Sequence, residues 1–260
     1  MNRLSGKVAI VTGAGRGIGR GIAIRFAAEG AKVIVASRTQ ATVQAVVDEI
    51  KNAGGEAAGV ACDVGHEEQI KAMIAQTVNI FGTVDILVNN AHSFGTPDAP
   101  TSYARLQPFE EISDAEWEYT MRTGLMGTIW CMRAAFPYMK ARGGKIINIG
   151  SGSGQRGTRG RTAYNVSKEA IRALTRTVAR EWGRHQIMVN VINPLAYSHM
   201  MDKAGSAHPL KIDLAKAAPL GRVGDPVRDI GGVALFLASS DSDYVTGATI
   251  AADGGSLMWS

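Results

Sequence analysis

Cysteine is scarce in this 260-residue chain: Cys62 and Cys131 lie far apart, with no metal-ligand or redox spacing, so both are expected as reduced, buried thiols. The five histidines form no HxxH or HExxH pair, which leaves a zinc site without support. No run approaches the ~18 apolar residues that a membrane span needs. The opening MNRLSGKVAIVTG runs from a short polar lead into an apolar strand and then glycines, without the long apolar stretch and small-residue cleavage site of a secretory signal. These absences point to a soluble, cytoplasmic protein with no membrane partner. The +5 net charge is scattered through the helices and reads as ordinary solvated surface.

What is present is a regular alternation. Short runs rich in Val, Ile and Ala occur at Lys7–Thr12, Lys32–Ala36, Ala57–Ala61, Val84–Val88, Lys145–Ile149, Ile187–Ile192 and Ala248–Ala252. Helical patterns lie between them, near Gly17–Glu29, Thr39–Asn52, Glu67–Phe81, Asp114–Lys140, Thr162–Gly183 and Pro226–Ala238. Nearly continuous apolar strands separated by helices predict an α/β Rossmann-type fold. Its doubly wound parallel sheet would have about seven strands, flanked by helices on both faces. With no repeat and no long linker, residues 1–260 are expected to form one domain. Ligands in such sheets bind beyond the carboxyl ends of the strands, where two long loops, His92–Pro108 and His199–Pro219, are expected.

Thr12-Gly13-Ala14-Gly15-Arg16-Gly17-Ile18-Gly19 follows the first strand and opens the first helix. The spacing is TGxxxGxG rather than GxGxxG, but the physics is shared: bare backbone approaches a pyrophosphate at a positively polarised helix N-terminus. The second strand ends Ser37-Arg38, where an NAD-preferring site usually carries an acid for the ribose hydroxyls. Ser37 can donate to a 2′-phosphate, Arg38 can pair with it through two parallel bonds, and Arg16 lies within reach, which predicts NADP(H). Further on, Tyr164 and Lys168 are four apart on a predicted helix and share a face. Ser151 ends the fifth strand. A free phenol has a pKa near ~10; a neighbouring ammonium and an oxidised nicotinamide are expected to lower it.

Taken together, TGAGRGIG, Asn89-Asn90-Ala91, Tyr164-Asn165-Val166-Ser167-Lys168 and Asp253-Gly254-Gly255 resemble the short-chain dehydrogenase/reductase family over nearly the whole chain. The carboxy-terminal PLGRVGDP…ALFLASSDSDYVTGATIAADGG is similar to bacterial 3-oxoacyl-carrier-protein reductases. The resemblance implies an oxidoreductase that interconverts an aldehyde, ketone or 3-oxoacyl group and the matching alcohol. It implies Ser151, Tyr164 and Lys168 as catalytic residues, with Tyr164 as proton donor and Ser151 holding the substrate oxygen. Lys168 and Asn90 would also contact the cofactor, Asp63-Val64 would contact adenine, and the assembly would be a homotetramer or homodimer. An NAD-dependent alcohol dehydrogenase and a cofactor-binding sensor or scaffold with reduced turnover are the alternatives.

Four positions depart from the family pattern. His92 stands where NNAG has its last Gly, Gly124 where a catalytic Asn precedes Leu-x-x-Gly, Leu195 where Gly follows Pro, and His199 where Thr meets the carboxamide. The first two resemble an atypical branch of the family. Lacking a β-carbon, Gly124 is expected to allow a helix distortion that leaves a carbonyl free for water, with His92 as a second route towards Lys168. GSGQRGTRGR at 152–161 has no interleaved aromatics for base stacking, so no nucleic-acid partner is expected; Arg156, Arg159 and Arg161 read first as exposed charge, with an anionic substrate as the alternative. The partner is a small molecule, its pocket built by the two loops.

Overall fold

A computed structural model describes residues 2–103, 105–196, 215–216 and 218–258. Seven parallel strands form one sheet: β1 (Val8–Thr12), β2 (Lys32–Ser37), β3 (Glu56–Ala61), β4 (Ile86–Asn89), β7 (Gly144–Ile149), β8 (Ile187–Pro194) and β9 (Thr249–Ala252). Their order is β3-β2-β1-β4-β7-β8-β9, so the chain winds outward from β1 in one direction and then crosses back to β4. This is the doubly wound Rossmann-type arrangement read from the sequence, and the switch between β1 and β4 opens the crevice in which such sheets bind ligands. A short antiparallel hairpin, β5 (Phe94–Gly95) with β6 (Pro100–Thr101), follows β4.

Both faces of the sheet are covered because its strands are apolar at odd and even positions alike. Ala9, Val11, Val33, Val35 and Ile147 point to a core shared with α1 (Gly17–Ala28), α2 (Gln40–Asn52) and α8 (Gly231–Ala238), which bring Phe26, Val47 and Leu235. Ile10, Ile34 and Ile146 point to the opposite core. There α3 (Glu67–Phe81), α5 (Gly127–Met139) and α7 (Thr162–Trp182) supply Met73, Met139 and Val178. Gly21 lets α1 close on the Pro226 turn, since a Cβ there would lie 2.4 Å from the Pro226 carbonyl carbon. Both cysteines are free and buried, and burial pushes the Cys62 thiol up to about 11.

Two predicted helices need correction: the one expected over Pro226–Ala238 opens with a π-helical turn at Pro226–Ile230 before α8. The single helix expected over Asp114–Lys140 is α4 (Asp114–Met121), a π-helical turn at Arg122–Met126, and then α5. The distortion is centred on Gly124, whose missing side chain admits neighbours from other elements, as described below. Among the described residues, no helix is long and apolar enough to cross a membrane.

Candidate active site

The carboxyl ends of β1, β2, β4, β7 and β8 frame a cavity of about 460 Å³, within the size range typical of small-molecule sites. At one end lies the glycine turn between β1 and α1. Gly13 has φ +65°, and a Cβ there would stand 2.7 Å from Asn90 Nδ2 and 2.9 Å from the Ala91 Cα, so only bare backbone fits. The turn is tied to β4 from below. Asn90 Nδ2 donates to the carbonyls of Thr12 (2.9 Å) and Gly13 (3.2 Å), and the Asn90 and Ala91 amides donate to Thr12 Oγ1. Asn90 therefore sets the shape of the turn as well as lining the cavity.

Gly13, Arg16, Gly17, Ile18, Ser37, Arg38, Asp63, Val64 and Asn90 all reach the cavity wall, as the sequence placed them. Gly15 and Gly19 do not. A Cβ on Gly15 would meet Thr42 Oγ1 at 2.6 Å, and one on Gly19 would meet Asn90 Nδ2 and the Gly13 carbonyl oxygen at 2.5 Å. Both glycines serve the packing of the turn against its neighbours. Arg38 is aimed by a contact the sequence did not reveal: its Nη1 donates to the hydroxyl of buried Tyr119 on α4 at 3.0 Å. The Asp63 carboxylate accepts from its own loop, through the Gly65 amide at 2.8 Å. Bare backbone at a helix N-terminus, with two arginines and a serine beyond it and no acid closing β2, fits a dinucleotide carrying an extra phosphate.

At the other end of the cavity stand Ser151 and Tyr164. Ser151 caps α6 (Gly152–Arg156), accepting the Ser153 amide at 3.1 Å. Ser153 turns its own hydroxyl to Asn165 Oδ1 at 2.8 Å, which leaves Ser151 as the serine whose hydroxyl meets Tyr164. Burial raises the Tyr164 pKa; the Ser151 hydroxyl and the positive charge of Arg161 oppose that rise. Arg161 thus adds a positive charge beside Tyr164 that the sequence reading expected from Lys168. Lys168 lies behind the tyrosine, off the cavity wall, with Nζ 5.7 Å from the ring centroid and donating to the Ile149 carbonyl at 2.7 Å. Its own burial lowers it to about 8.

The space around Gly124 is filled rather than open. A Cβ there would stand 2.5 Å from Ser167 Oγ and 2.7 Å from both Cε1 and Nε2 of His92. The His92 ring stacks on Phe94 at 4.7 Å between centroids and lies 5.4 Å from the Tyr164 ring, with Nε2 3.2 Å from the Thr120 carbonyl. Desolvation first, and then the charge of Lys168, hold His92 well below its ordinary pKa of 6.5. A neutral ring facing a carbonyl through Nε2 carries its proton there, which leaves the sealed Nδ1 as an acceptor with no partner among the described residues. The helix distortion expected at Gly124 is present as the π-helical turn, and the Gly124 carbonyl accepts Thr128 Oγ1 at 2.9 Å.

Phe94, Tyr103, Asn193 and Asp253 also line the cavity and were not singled out for it. Arg161, the cap residue before α7, lines it as well, whereas the sequence read it first as exposed charge and only second as a group for an anionic substrate. Leu195 is on the wall as well, whereas His199 and most of the loop His199–Pro219 lie outside the described residues.

The comparisons with known proteins agree with this geometry. Residues 13–256 match the family model described as enoyl-(acyl carrier protein) reductase. The short-chain reductase protein NovJ of Streptomyces niveus is 38% identical over 255 residues, covering 95% of this chain and 93% of that protein. The 3-oxoacyl-[acyl-carrier-protein] reductase FabG of Staphylococcus aureus is 36% identical, covering 97% and 98%. The solved structure of a 7α-hydroxysteroid dehydrogenase, complexed with NADH and 7-oxo glycochenodeoxycholic acid, superposes with a TM-score of 0.88. It is 32% identical and covers 98% of this chain and 95% of that one.

Proposed function

The chain belongs to the short-chain dehydrogenase/reductase family, and from that premise we propose that it is an NADP(H)-dependent oxidoreductase interconverting a carbonyl and the corresponding alcohol. The observation that carries this reading is a single cavity with a phosphate-suited end at Arg16, Ser37 and Arg38 and a proton-transfer end at Ser151 and Tyr164. The hydroxysteroid and 3-oxoacyl groups named for relatives, together with the aldehydes and ketones expected from the sequence, define the substrate range to be searched. The nicotinamide, when bound, supplies or accepts the hydride.

The protein's part is binding, orientation and the proton. In the reductive direction Tyr164 gives its hydroxyl proton to the carbonyl oxygen, and Ser151 donates a hydrogen bond to that oxygen as negative charge develops on it. Arg161 favours the tyrosinate left behind. Lys168, lowered to about 8, changes protonation near neutral pH and holds the proton that restores Tyr164. Neutral His92 packs the outer side of the tyrosine ring against Phe94.

A carbonyl panel followed by NADPH absorbance, with kcat/KM compared for NADPH and NADH, tests the assignment. NADPH is expected to be preferred, and Arg38→Asp should move the preference towards NADH by adding an acid that repels the 2′-phosphate. Equal values, or a wild-type preference for NADH, would instead select the NAD-dependent alternative. Tight cofactor binding without turnover of any carbonyl would select the sensor reading.

A further inference from the structure

Arg161 is the cap residue of α7, three positions before Tyr164, and lines the cavity beside it. Its Nε is sealed from solvent and has no hydrogen-bond partner among the described residues. Among the described residues no carboxylate forms an ion pair with it. The nearby acids are already engaged. Glu116, on the wall of a smaller adjoining cavity that Arg161 also lines, accepts from Ser113 and Gln107. Asp253, on the main cavity wall, accepts the Gly255 amide at 3.1 Å. By contrast Arg156, the second arginine at this end, is bound by Nη1 to the carbonyl and hydroxyl of Ser256.

A half-buried guanidinium without a protein partner is costly, and such a cost persists where a ligand supplies the missing anion. The cofactor's phosphates have their own suited groups at the far end, in the glycine turn, Arg16 and Arg38. Arg161 and Tyr164 line the same cavity, and the charge of the arginine acts on the tyrosine hydroxyl. An anion held by Arg161 therefore lies close to the atom that Tyr164 protonates. His92 and Phe94, stacked on each other, line the same cavity and add neutral aromatic surface to its wall.

Building on the reductase reading, we propose that the substrate is a keto acid: a carbonyl compound carrying a carboxylate close to the reacting carbon, held by Arg161, with an apolar or aromatic body against His92 and Phe94. The pair completes the charge of the site. The carboxylate satisfies the guanidinium through charge-assisted hydrogen bonds, and the positive charge beside Tyr164 is partly neutralised only when substrate is bound.

The test uses benzoylformate and its methyl ester, two molecules that differ in charge and share a ring and a ketone. Their affinities for the NADP⁺-loaded protein are measured by calorimetry, and kcat/KM with NADPH is measured in parallel. The ester's ketone is the more electrophilic, so a preference for the acid reports binding rather than intrinsic reactivity. The wild type is expected to bind the acid about 10- to 100-fold more tightly than the ester, the range of one charge-assisted pair. Arg161→Gln should cut that ratio at least about tenfold, Arg161→Lys should retain part of it, and Arg159→Gln, exposed and off the cavity wall, should leave it intact. Equal affinity for acid and ester, binding of neither, or an unchanged ratio in Arg161→Gln overturns the proposal. So does a tenfold loss of NADP⁺ affinity in that variant, since Arg161 would then serve the nucleotide. Charge-dependent binding without oxidation of NADPH by any carbonyl would overturn the reductase reading and leave the anion site standing. Equal reduction of acid and ester would do the reverse.

Discussion

Two side chains at the catalytic end of the cavity have neighbours that make their roles separable by mutation. Tyr164 has the Ser151 hydroxyl beside it, while Ser153, two residues on, is committed to Asn165. Tyr164→Phe is therefore expected to lower kcat about 10²–10⁴-fold, the usual worth of general-acid help, with NADPH binding retained. Ser151→Ala should lower kcat more than Ser153→Ala. Near wild-type turnover in Tyr164→Phe would remove the tyrosine from the proton path. Gly124 and His92 are coupled by space, since a methyl group on Gly124 would overlap the imidazole and Ser167 Oγ. Gly124→Ala should cost about 1–3 kcal/mol of stability by overpacking, with much of the loss recovered when His92→Ala is added. Urea unfolding of the single and double variants measures this, and no recovery would mean the two residues do not share that space.

The same histidine makes a pH prediction whose sign is fixed by its lowered pKa. Unfolded His92 takes up a proton as pH falls through 6.5, whereas the folded ring does not. Stability is thus full above that value and is lost as pH falls towards the folded pKa. His92→Asn should show a shallower loss of unfolding free energy between about pH 7 and about pH 5 than the wild type. An identical slope would mean that another group carries the acid sensitivity.

Among the elements are two π-helical turns: a distortion at Gly124 was expected from its missing β-carbon, whereas the second turn had no such signal in the sequence. One, at Arg122–Met126, separates α4 from α5 and lies against the site; the other, Pro226–Ile230, precedes α8 and packs on Gly21 of α1. The second is capped by Asp225, whose Oδ1 accepts the Val227 and Arg228 amides at 2.9 and 2.7 Å. Asp225→Ala should cost about 1 kcal/mol, the typical worth of such a cap, seen as a lower urea midpoint with an unchanged slope. No change would mean that the Asp229 contact with the Asp225 amide is enough to hold this turn. The broken Asp114–Met139 segment shows the limit of periodicity: apolar spacing detects a helix, but an extra residue in one turn leaves the pattern on either side almost intact.

For the molecule as a whole, β9 ends the sheet as a half-buried edge strand, and Ile250 and Ala252 line a groove of about 530 Å³ with Val233 and Phe236 of α8. An apolar groove beside an edge strand suits association with a second copy of the chain. Light scattering at micromolar concentration is expected to report a homotetramer or homodimer, and Phe236→Asp should shift it towards monomer. A monomeric wild type would count against the expectation.

The strands, their parallel order and the place of the glycine turn were legible because each rests on local information: runs of Val and Ile, the alternation with helices, and glycines where backbone must approach a ligand. The residues that reach the cavity at Ser37, Arg38, Ser151 and Tyr164 were legible too, since strand ends and one helix face position them. Contacts between segments distant in the chain were decided only by the tertiary structure. Tyr119 holding Arg38, Thr128 donating to the Gly124 carbonyl, His92 filling the space beside Gly124, and Arg161 at the cavity wall without a partner for its Nε among the described residues all depend on it. A side chain's charge and shape are written in its own position, but the burial that moves its pKa and the partner it finds or lacks are properties of what packs around it.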